Sequence, residues 1–408
     1  MMRQTDIAIA GAGLAGSTAA VMLTRAGYDV VLIDPHDVYP PDFRCEKLDT
    51  SQIEILKRTG LADTVLKTAT PDRSLWVARF GHLVERRDGA QCGIYYADLV
   101  NTVRAEVPGA AFVAAKVTSV ATSTDRQVVT LSNGDEISAR LFILANGLNI
   151  GLRHQLGIER KIESETHSIA IGLDIKPVDK AAFDFSALTC YSEQSTKQMA
   201  YVAFFPIGST TRANLFVYRD MHDPWLKQFR DAPKQTLLEI MPSLNKLVGP
   251  FEVDGFVKIR PIDLYITEGY RQPGVVLIGD AFATSCPAAG TGAGKALMDV
   301  ERLCNVHIPL WLASPGMSLV KIAAYYDDPV KQAYDAFCTK KAYALKSLSI
   351  DTSLSWTARR WARFVLHGLR GALRQAHRRL VAKTPALAQM SNKGNFNPFG
   401  TARSNRIL

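Results

Sequence analysis

The feature that most constrains this chain is a glycine turn caught between a strand and a helix. Residues 5–10 (Thr-Asp-Ile-Ala-Ile-Ala) read as a short buried strand, Gly11-Ala12-Gly13-Leu14-Ala15-Gly16 follows, and residues 15–26 read as a helix of small and apolar side chains. Gly27-Tyr28-Asp29 ends that helix, and Val30 to Asp34 is a second, β-branched strand. This is one βαβ unit in about 30 residues, the length of a single crossover. In such a unit Gly11 permits the tight turn and Gly13 lets an anionic pyrophosphate approach backbone N–H groups at a helix N-terminus. Gly16 lets the helix pack closely on the strand. Asp34 closes the second strand, where a carboxylate can hold ribose hydroxyls. Leu14 and Ala15 complete the first turn beside the phosphate. The pattern implies a dinucleotide-binding α/β fold.

A second turn has the same character. The apolar run Gly274-Val275-Val276-Leu277-Ile278 ends at Gly279-Asp280, and Pro287-Ala288-Ala289-Gly290-Thr291-Gly292-Ala293 then opens another helix, at about residues 291–305. Small residues after a strand, at a helix N-terminus, again allow backbone to approach a ligand, and the helix dipole suits negative charge there. Asp280, at a strand end, is placed to accept hydroxyl hydrogen bonds.

Between the turns the period changes. Residues 141–145 form a third buried strand, and Asn133-Gly134 between two apolar runs predicts a hairpin. Residues 167–175, 199–206, 213–218 and 252–259 alternate like strands, with a helix around 230–240, which predicts an antiparallel sheet inserted into the nucleotide-binding part. From about residue 319 the chain reads as helical. The expected organisation is 1–75, 97–160 and 263–318 as three parts of the nucleotide-binding domain. Strands at 76–96 and the sheet at 161–262 form the substrate domain. A helical region at 319–385 carries a basic amphipathic helix, and 386–408 is a polar tail.

Composition supports this reading. A chain of 408 residues exceeds what one core usually organises. Six cysteines without a CxxC pair argue against a zinc site or a disulfide framework and suit a reducing cytoplasm. Neither a signal peptide nor a run of about 18 apolar residues is seen. The expectation is a cytoplasmic protein, with peripheral membrane contact as an option. The net charge of +9 is concentrated: Arg359, Arg360, Arg363, Arg370, Arg374, Arg378, Arg379 and Lys383 face one anion, Asp351, giving 8 − 1 = +7 between residues 351 and 384. The basic character therefore belongs to one segment and is not a general nucleic-acid surface.

The residues around both turns resemble the single-component FAD-dependent aromatic hydroxylases of the p-hydroxybenzoate hydroxylase fold, over roughly residues 5–330. Gly279-Asp280-Ala281-Phe282-Ala283, then Pro287, Gly290, Gly292, Gly294, Ala296 and Asp299, follow the family's GD-motif spacing. Arg44 resembles the family's arginine near the adenosine and pyrophosphate, and Val117 its adenine-contacting backbone position. The chain departs from the pattern at Ala283, Gly294, Tyr96 and Asn146, the last in place of the aspartate of the family's DG motif. The resemblance implies a Rossmann-like FAD-binding domain and hydroxylation or epoxidation of an apolar or aromatic molecule through a C4a-hydroperoxyflavin, with NADPH or NADH as electron donor. Asn146 bears on the reductant rather than on FAD. An FAD-dependent reductase or dehydrogenase, prenyl-reductase-like enzymes included, is one alternative, and a monooxygenase reduced by a partner is another. A non-catalytic flavin- or lipid-binding protein is a third. No catalytic acid or base is assigned.

Met199, Tyr201, Ala203, Phe205 and Pro206 are candidates for the substrate pocket, although alternating core residues look the same. Cys286 reads as a buried free thiol. His154 and His167 lack metal-ligand spacing. Glu46 and Lys47 form an acid–base pair whose expected setting is a solvated turn. Trp361, Val365, Leu369, Leu373, Ala376 and Leu380 recur at helical steps on one face, with most of the arginines off it. This pattern suits an anionic membrane surface, a lipid-like or carrier-bound substrate, or an acidic protein partner; a helix packed on the rest of the chain gives it equally well.

Overall fold

The structure, a computed structural model, describes residues 2–192 and 194–383. The expected polar tail at 386–408 lies outside the described residues, as do the side chains of Arg378, Arg379, Leu380 and Lys383.

The β-branched runs Arg3–Ala10 and Val30–Asp34 lie side by side in parallel, Ile9 opposite Leu32, and Glu136–Leu144 pairs with the other edge of Arg3–Ala10, Ile9 opposite Ile143. Phe112–Ala114 extends the sheet beyond Val30–Asp34. The far edge of Glu136–Leu144 is shared. Its first half pairs with the hairpin strand Gln127–Leu131 across the Asn133-Gly134 turn, and its second half pairs in parallel with Val275–Leu277. Ile7, Ile9, Leu32, Ile143 and Val276 are all fully buried, as a sheet covered on both faces requires. The strand ends that lead into the two glycine turns are thereby brought together from distant parts of the sequence. Ala10 lies opposite Leu144, and Leu144 opposite Leu277, so a single strand separates the two turns.

The second sheet runs Phe251–Glu268, Glu159–Pro177, Thr210–Val217, Met199–Ile207, Ala187–Tyr191, Ser74–Arg79, His82–Asp88. Its pairings are antiparallel except that of Ala187–Tyr191 with Ser74–Arg79. One face carries Val202, Phe204, Leu188 and Leu215 into a core closed by the helices Pro224–Asp231 and Pro233–Ile240. The expected single helix near 230–240 is these two, divided where Pro233 lacks the N–H to continue the first. Sequence periodicity does not mark Ala187–Tyr191, a short strand whose pairing is set by distant partners. The architecture is thus a Rossmann-like α/β part with an inserted antiparallel sheet and a helical C-terminal region.

That region comprises Leu319–Tyr326, Pro329–Ile350 and Leu354–Lys383. The long last helix packs on His82–Asp88. Trp361 stacks on Phe80 at 4.8 Å between ring centroids, His367 Nδ1 lies 3.0 Å from Glu85, and Arg374 pairs with the same carboxylate. The His367 contact, with help from Arg374, holds the Glu85 carboxyl down at about 2. No helix among the described residues is long and apolar enough to cross a membrane.

Candidate active site

One cavity of about 1150 Å³ runs from the first glycine turn, past the Pro287–Ala293 segment, to the face of the second sheet that carries Tyr201, Ala203 and Phe205. That is somewhat more than the roughly 300–1,000 Å³ of a pocket for one drug-sized ligand. Gly11, Gly13, Leu14, Ala15, Asp34, Arg44, Val117, Asp280, Pro287, Gly290, Gly292 and Ala293 all line it. Gly16 and Thr291 do not.

At the first turn the three glycines differ in what they do. Gly11 has φ +100°, and a Cβ there lies 2.6 Å from the Ala145 carbonyl oxygen. A Cβ on Gly16 lies 1.9 Å from the Gly11 carbonyl oxygen, so Gly16 serves helix-on-strand packing without touching the cavity. A Cβ on Gly13 meets no atom within 4 Å. It projects into free space at the start of the helix Leu14–Arg25, whose N-terminus has no side-chain cap and no acidic residue in its first turn. The backbone N–H groups there are left for an anion.

Asp34 accepts a hydrogen bond from the Ala12 N–H at 2.8 Å and faces the Arg104 guanidinium at 3.2 Å. Arg104 donates to the Ala12 and His36 carbonyls at 2.9 and 2.8 Å, tying the helix Tyr96–Arg104 to both sides of the turn. Nothing local in the sequence marks Arg104, because these partners lie in the first βαβ unit or just after it, far from its own helix. Arg44 donates to Asp280 at 2.9 Å and to Asp42 at 2.5 Å, with its guanidinium over the Tyr96 ring at 5.7 Å. Burial works against the charge of Arg44, but Tyr96, Asp280 and Asp42 raise its pKa overall. Tyr265 donates to the Asp280 carbonyl. The Asn146 amide nitrogen donates to the Asn149 carbonyl at 3.2 Å, and its buried Oδ1 has no partner among the described residues.

Behind the second turn lies a buried charge cluster. Asp299 accepts from the Gly279 N–H at 2.9 Å, from Lys295 at 3.1 Å and from Lys331 at 2.9 Å. Lys331 also reaches Asp335 at 2.8 Å. Burial opposes the Asp299 charge, yet the two ammonium groups lower its pKa. The carboxylate clamps the backbone one residue before Asp280. Sequence shows Lys295 and Asp299 one helical turn apart, but not Lys331.

On the sheet face, Tyr201, Ala203 and Phe205 line the cavity, and the Tyr201 hydroxyl donates to the Ala288 carbonyl at 2.7 Å. Met199 and Pro206 do not line it. Strict alternation puts Met199 with Tyr201, but the register shifts between them, and this bulge turns Met199 into the opposite core. Pro206 alternates with Phe205 and faces away. The solvated turn expected of Glu46 and Lys47 is not found. Both line the cavity, and Glu46 is 2% exposed, held by Arg212 at 2.6 Å, which also binds Asp174 at 2.7 Å. Burial raises the Glu46 pKa in spite of Arg212. His167 is wedged between Tyr218 and Tyr343, its pKa pushed down to about 4 by burial. Cys286 is buried under the Pro287 turn, its thiol raised by the same cause.

The sequence model of the FAD binding domain matches residues 4–307. The chain belongs to the FAD-binding domain family. It is a flavin-dependent oxidoreductase of the monooxygenase type. It is 25% identical over 357 residues to 3-demethoxyubiquinol 3-hydroxylase of Escherichia coli (strain K12), covering 81% of this chain and 88% of that protein. It is 28% identical over 315 residues to menaquinone reductase of Mycolicibacterium smegmatis, covering 73% and 75%. In fold it is similar to p-nitrophenol 4-monooxygenase PnpA from Pseudomonas putida DLL-E4, with a TM-score of 0.70 at 14% identity over 95% of this chain and 99% of that one.

The residues present fit FAD. An uncapped helix N-terminus opens on the cavity at Gly13, where any larger side chain intrudes. Asp34 lies at the end of the second strand, a guanidinium at Arg44, and a buried amide oxygen without a partner at Asn146. The helix Gly292–Arg302 presents a second uncapped N-terminus to the same space.

Proposed function

We propose that this protein inserts one oxygen atom into an apolar or aromatic small molecule, with NADPH or NADH as electron donor. The balance is RH + O2 + NAD(P)H + H⁺ giving ROH + NAD(P)⁺ + H2O; epoxidation adds the same oxygen across a double bond. The observation that carries this reading is the single cavity that joins a dinucleotide-binding end to a chamber floored by Tyr201, Ala203 and Phe205. In this assignment Gly11, Gly13, Leu14 and Ala15 receive the pyrophosphate, Asp34 the adenosine ribose and Val117 the adenine. Arg44 and Asp280 would flank the ribityl and phosphate chain, and Pro287, Gly290, Gly292 and Ala293, which line the cavity, would form the bed of the flavin ring. Bound FAD supplies the oxygen chemistry. The chain's own contribution is to orient the ring, to place the substrate over the sheet and to exclude water. The division at 1–75, 97–160 and 263–318 against 76–96 and 161–262 belongs to the same proposal.

The relatives named for a demethoxyubiquinol and for menaquinone make quinone-type rings the first substrates to try. The menaquinone relative, together with Asn146, supports a reductase as the second reading. The test is oxygen uptake and NAD(P)H oxidation by the purified holoenzyme with a short-chain quinol. Substrate-dependent, matched consumption of both supports the monooxygenase; NAD(P)H oxidation without oxygen uptake supports the reductase.

Peripheral membrane contact is also proposed, on one observation. The helix Leu354–Lys383 leaves Val365, Leu369 and Leu373 more than half exposed, while Arg363 of the same helix reaches the cavity. An exposed apolar stripe on this basic helix suits contact with an anionic membrane surface.

A further inference from the structure

The first turn of the helix Gly292–Arg302 has little of its own to hold its shape. It reads Gly292-Ala293-Gly294 and has no side-chain cap. Glycine forms helix less well than alanine. Gly294 is not among the glycines with positive φ, so its own backbone gives no reason for glycine there. The reason lies outside the helix. A Cβ on Gly294 would stand 2.3 Å from the hydroxyl oxygen of Tyr334, far inside contact, and 3.5 Å from the ring carbon that bears it.

Tyr334 is fixed in that place by charge. Its helix, Pro329–Ile350, runs beside Gly292–Arg302 in the opposite sense. Lys331 reaches Asp299 at 2.9 Å and Asp335 reaches Lys295 at 3.4 Å, so Tyr334, between them in sequence, comes against Gly294. The half-buried Tyr334 ring packs on the cluster that holds Ala293 and Leu297. This helix lies beyond residue 307, where the match to the FAD binding domain ends. The rest of the bed is tied down in the same manner, by side chains from elsewhere. The Tyr201 hydroxyl donates to the Ala288 carbonyl at 2.7 Å, and Gln52 Nε2 donates to the Gly290 carbonyl at 2.9 Å. Tyr201 and Gln52 line the cavity; Tyr334 does not.

We infer that Tyr334 is a positioning residue for the flavin: its phenol, seated against Gly294, holds the first turn of Gly292–Arg302 in the place from which it serves the cofactor. The helix Pro329–Ile350 is thereby a working part of the cofactor site. The inference rests on the proposed flavin bed but not on oxygen transfer. Because Tyr334 does not line the cavity, it acts through the helix and not on the cofactor itself.

This role has a signature that simple packing lacks. The partial positive charge at a helix N-terminus favours an anion, and the effect falls off within the first turn. Bound FAD gains negative charge when it is reduced. A first turn that shifts or frays therefore loses more affinity for the reduced cofactor than for the oxidised one, and the midpoint potential falls. A residue that only stabilises the fold moves the thermal midpoint and leaves the potential where it was.

The experiment measures the FAD dissociation constant and the flavin midpoint potential of the full chain in wild type, Gly294→Ala, Tyr334→Phe and the double variant. Gly294→Ala sets a methyl group against the hydroxyl. It should weaken FAD binding about tenfold and the hold on reduced FAD by about a further tenfold, a fall of about 30 mV for a two-electron couple. Tyr334→Phe leaves a gap at Gly294 and should shift both quantities the same way by a smaller amount. In the double variant the new methyl meets the ring carbon at ordinary contact distance, so both quantities should return to within about twofold of wild type. Wild-type values in Gly294→Ala overturn the inference. So does a double variant no better than Gly294→Ala, or a lowered thermal midpoint with an unchanged potential. If Gly294→Ala does not fold, Tyr334→Leu, too short to reach Gly294, takes its place: the same two losses support the role and wild-type values overturn it. A wild-type chain that binds no FAD overturns the flavin bed and this role with it, whereas equal FAD binding and potential in all the variants overturn only the role of Tyr334. Neither readout needs turnover, so a failed monooxygenase assay leaves the result standing.

Discussion

The two ends of the cavity are built by different means. The nucleotide end is made of backbone. Gly11, Gly13 and Gly16 belong to one short turn, and their work is to keep side chains out of the way of N–H groups and of one another. The sheet end is made of side chains brought from far apart: Glu46 meets Arg212 across 166 residues, Tyr201 meets Ala288 across 87, and Arg363 arrives from the last helix. The first end holds a common anionic group with parts that one stretch of chain supplies. The second recognises a particular molecule with parts that only the folded chain assembles.

Variants can break this contrast in order of size. The largest effect is expected at Glu46. Removing one partner of a buried ion pair leaves the other uncompensated, at a cost of roughly 3–5 kcal/mol. Glu46→Ala should therefore lose about that much stability in denaturant titration, with Arg212 left buried; a loss under about 1 kcal/mol shows that the pair is dispensable. A smaller effect is expected at Asp280. Asp280→Ala removes one charged hydrogen-bonding group, worth roughly 1.5–3 kcal/mol, so FAD affinity should fall at least tenfold with thermal stability of the apoprotein little changed. An unchanged dissociation constant for FAD excludes Asp280 as a cofactor contact.

The same contrast explains what is legible in the sequence. The βαβ unit, Asp34, the Gly279-Asp280 turn and the Asn133-Gly134 hairpin are local patterns, and each reads directly. Tyr201, Ala203 and Phe205 are reachable by counting in twos along one strand. Met199 is not, because a bulge breaks the count just where it is needed. Arg104, Arg212 and Lys331 are invisible for a different reason: their meaning lies in partners on other elements, distant along the chain. Glu46 and Lys47 show the limit most clearly. As neighbours on a turn they look solvated, and only the second sheet closing over them makes one a buried ion pair and the other a cation facing the chamber.

Most direct as a test of the cofactor site is the FAD content, per folded chain, of wild type and Gly13→Val. The added side chain meets no protein atom at its Cβ, so the fold should survive while the phosphate site is filled. The expected result is one FAD per wild-type chain and almost none in the variant, with circular dichroism and thermal midpoint nearly the same. Full flavin occupancy in a folded Gly13→Val protein contradicts it.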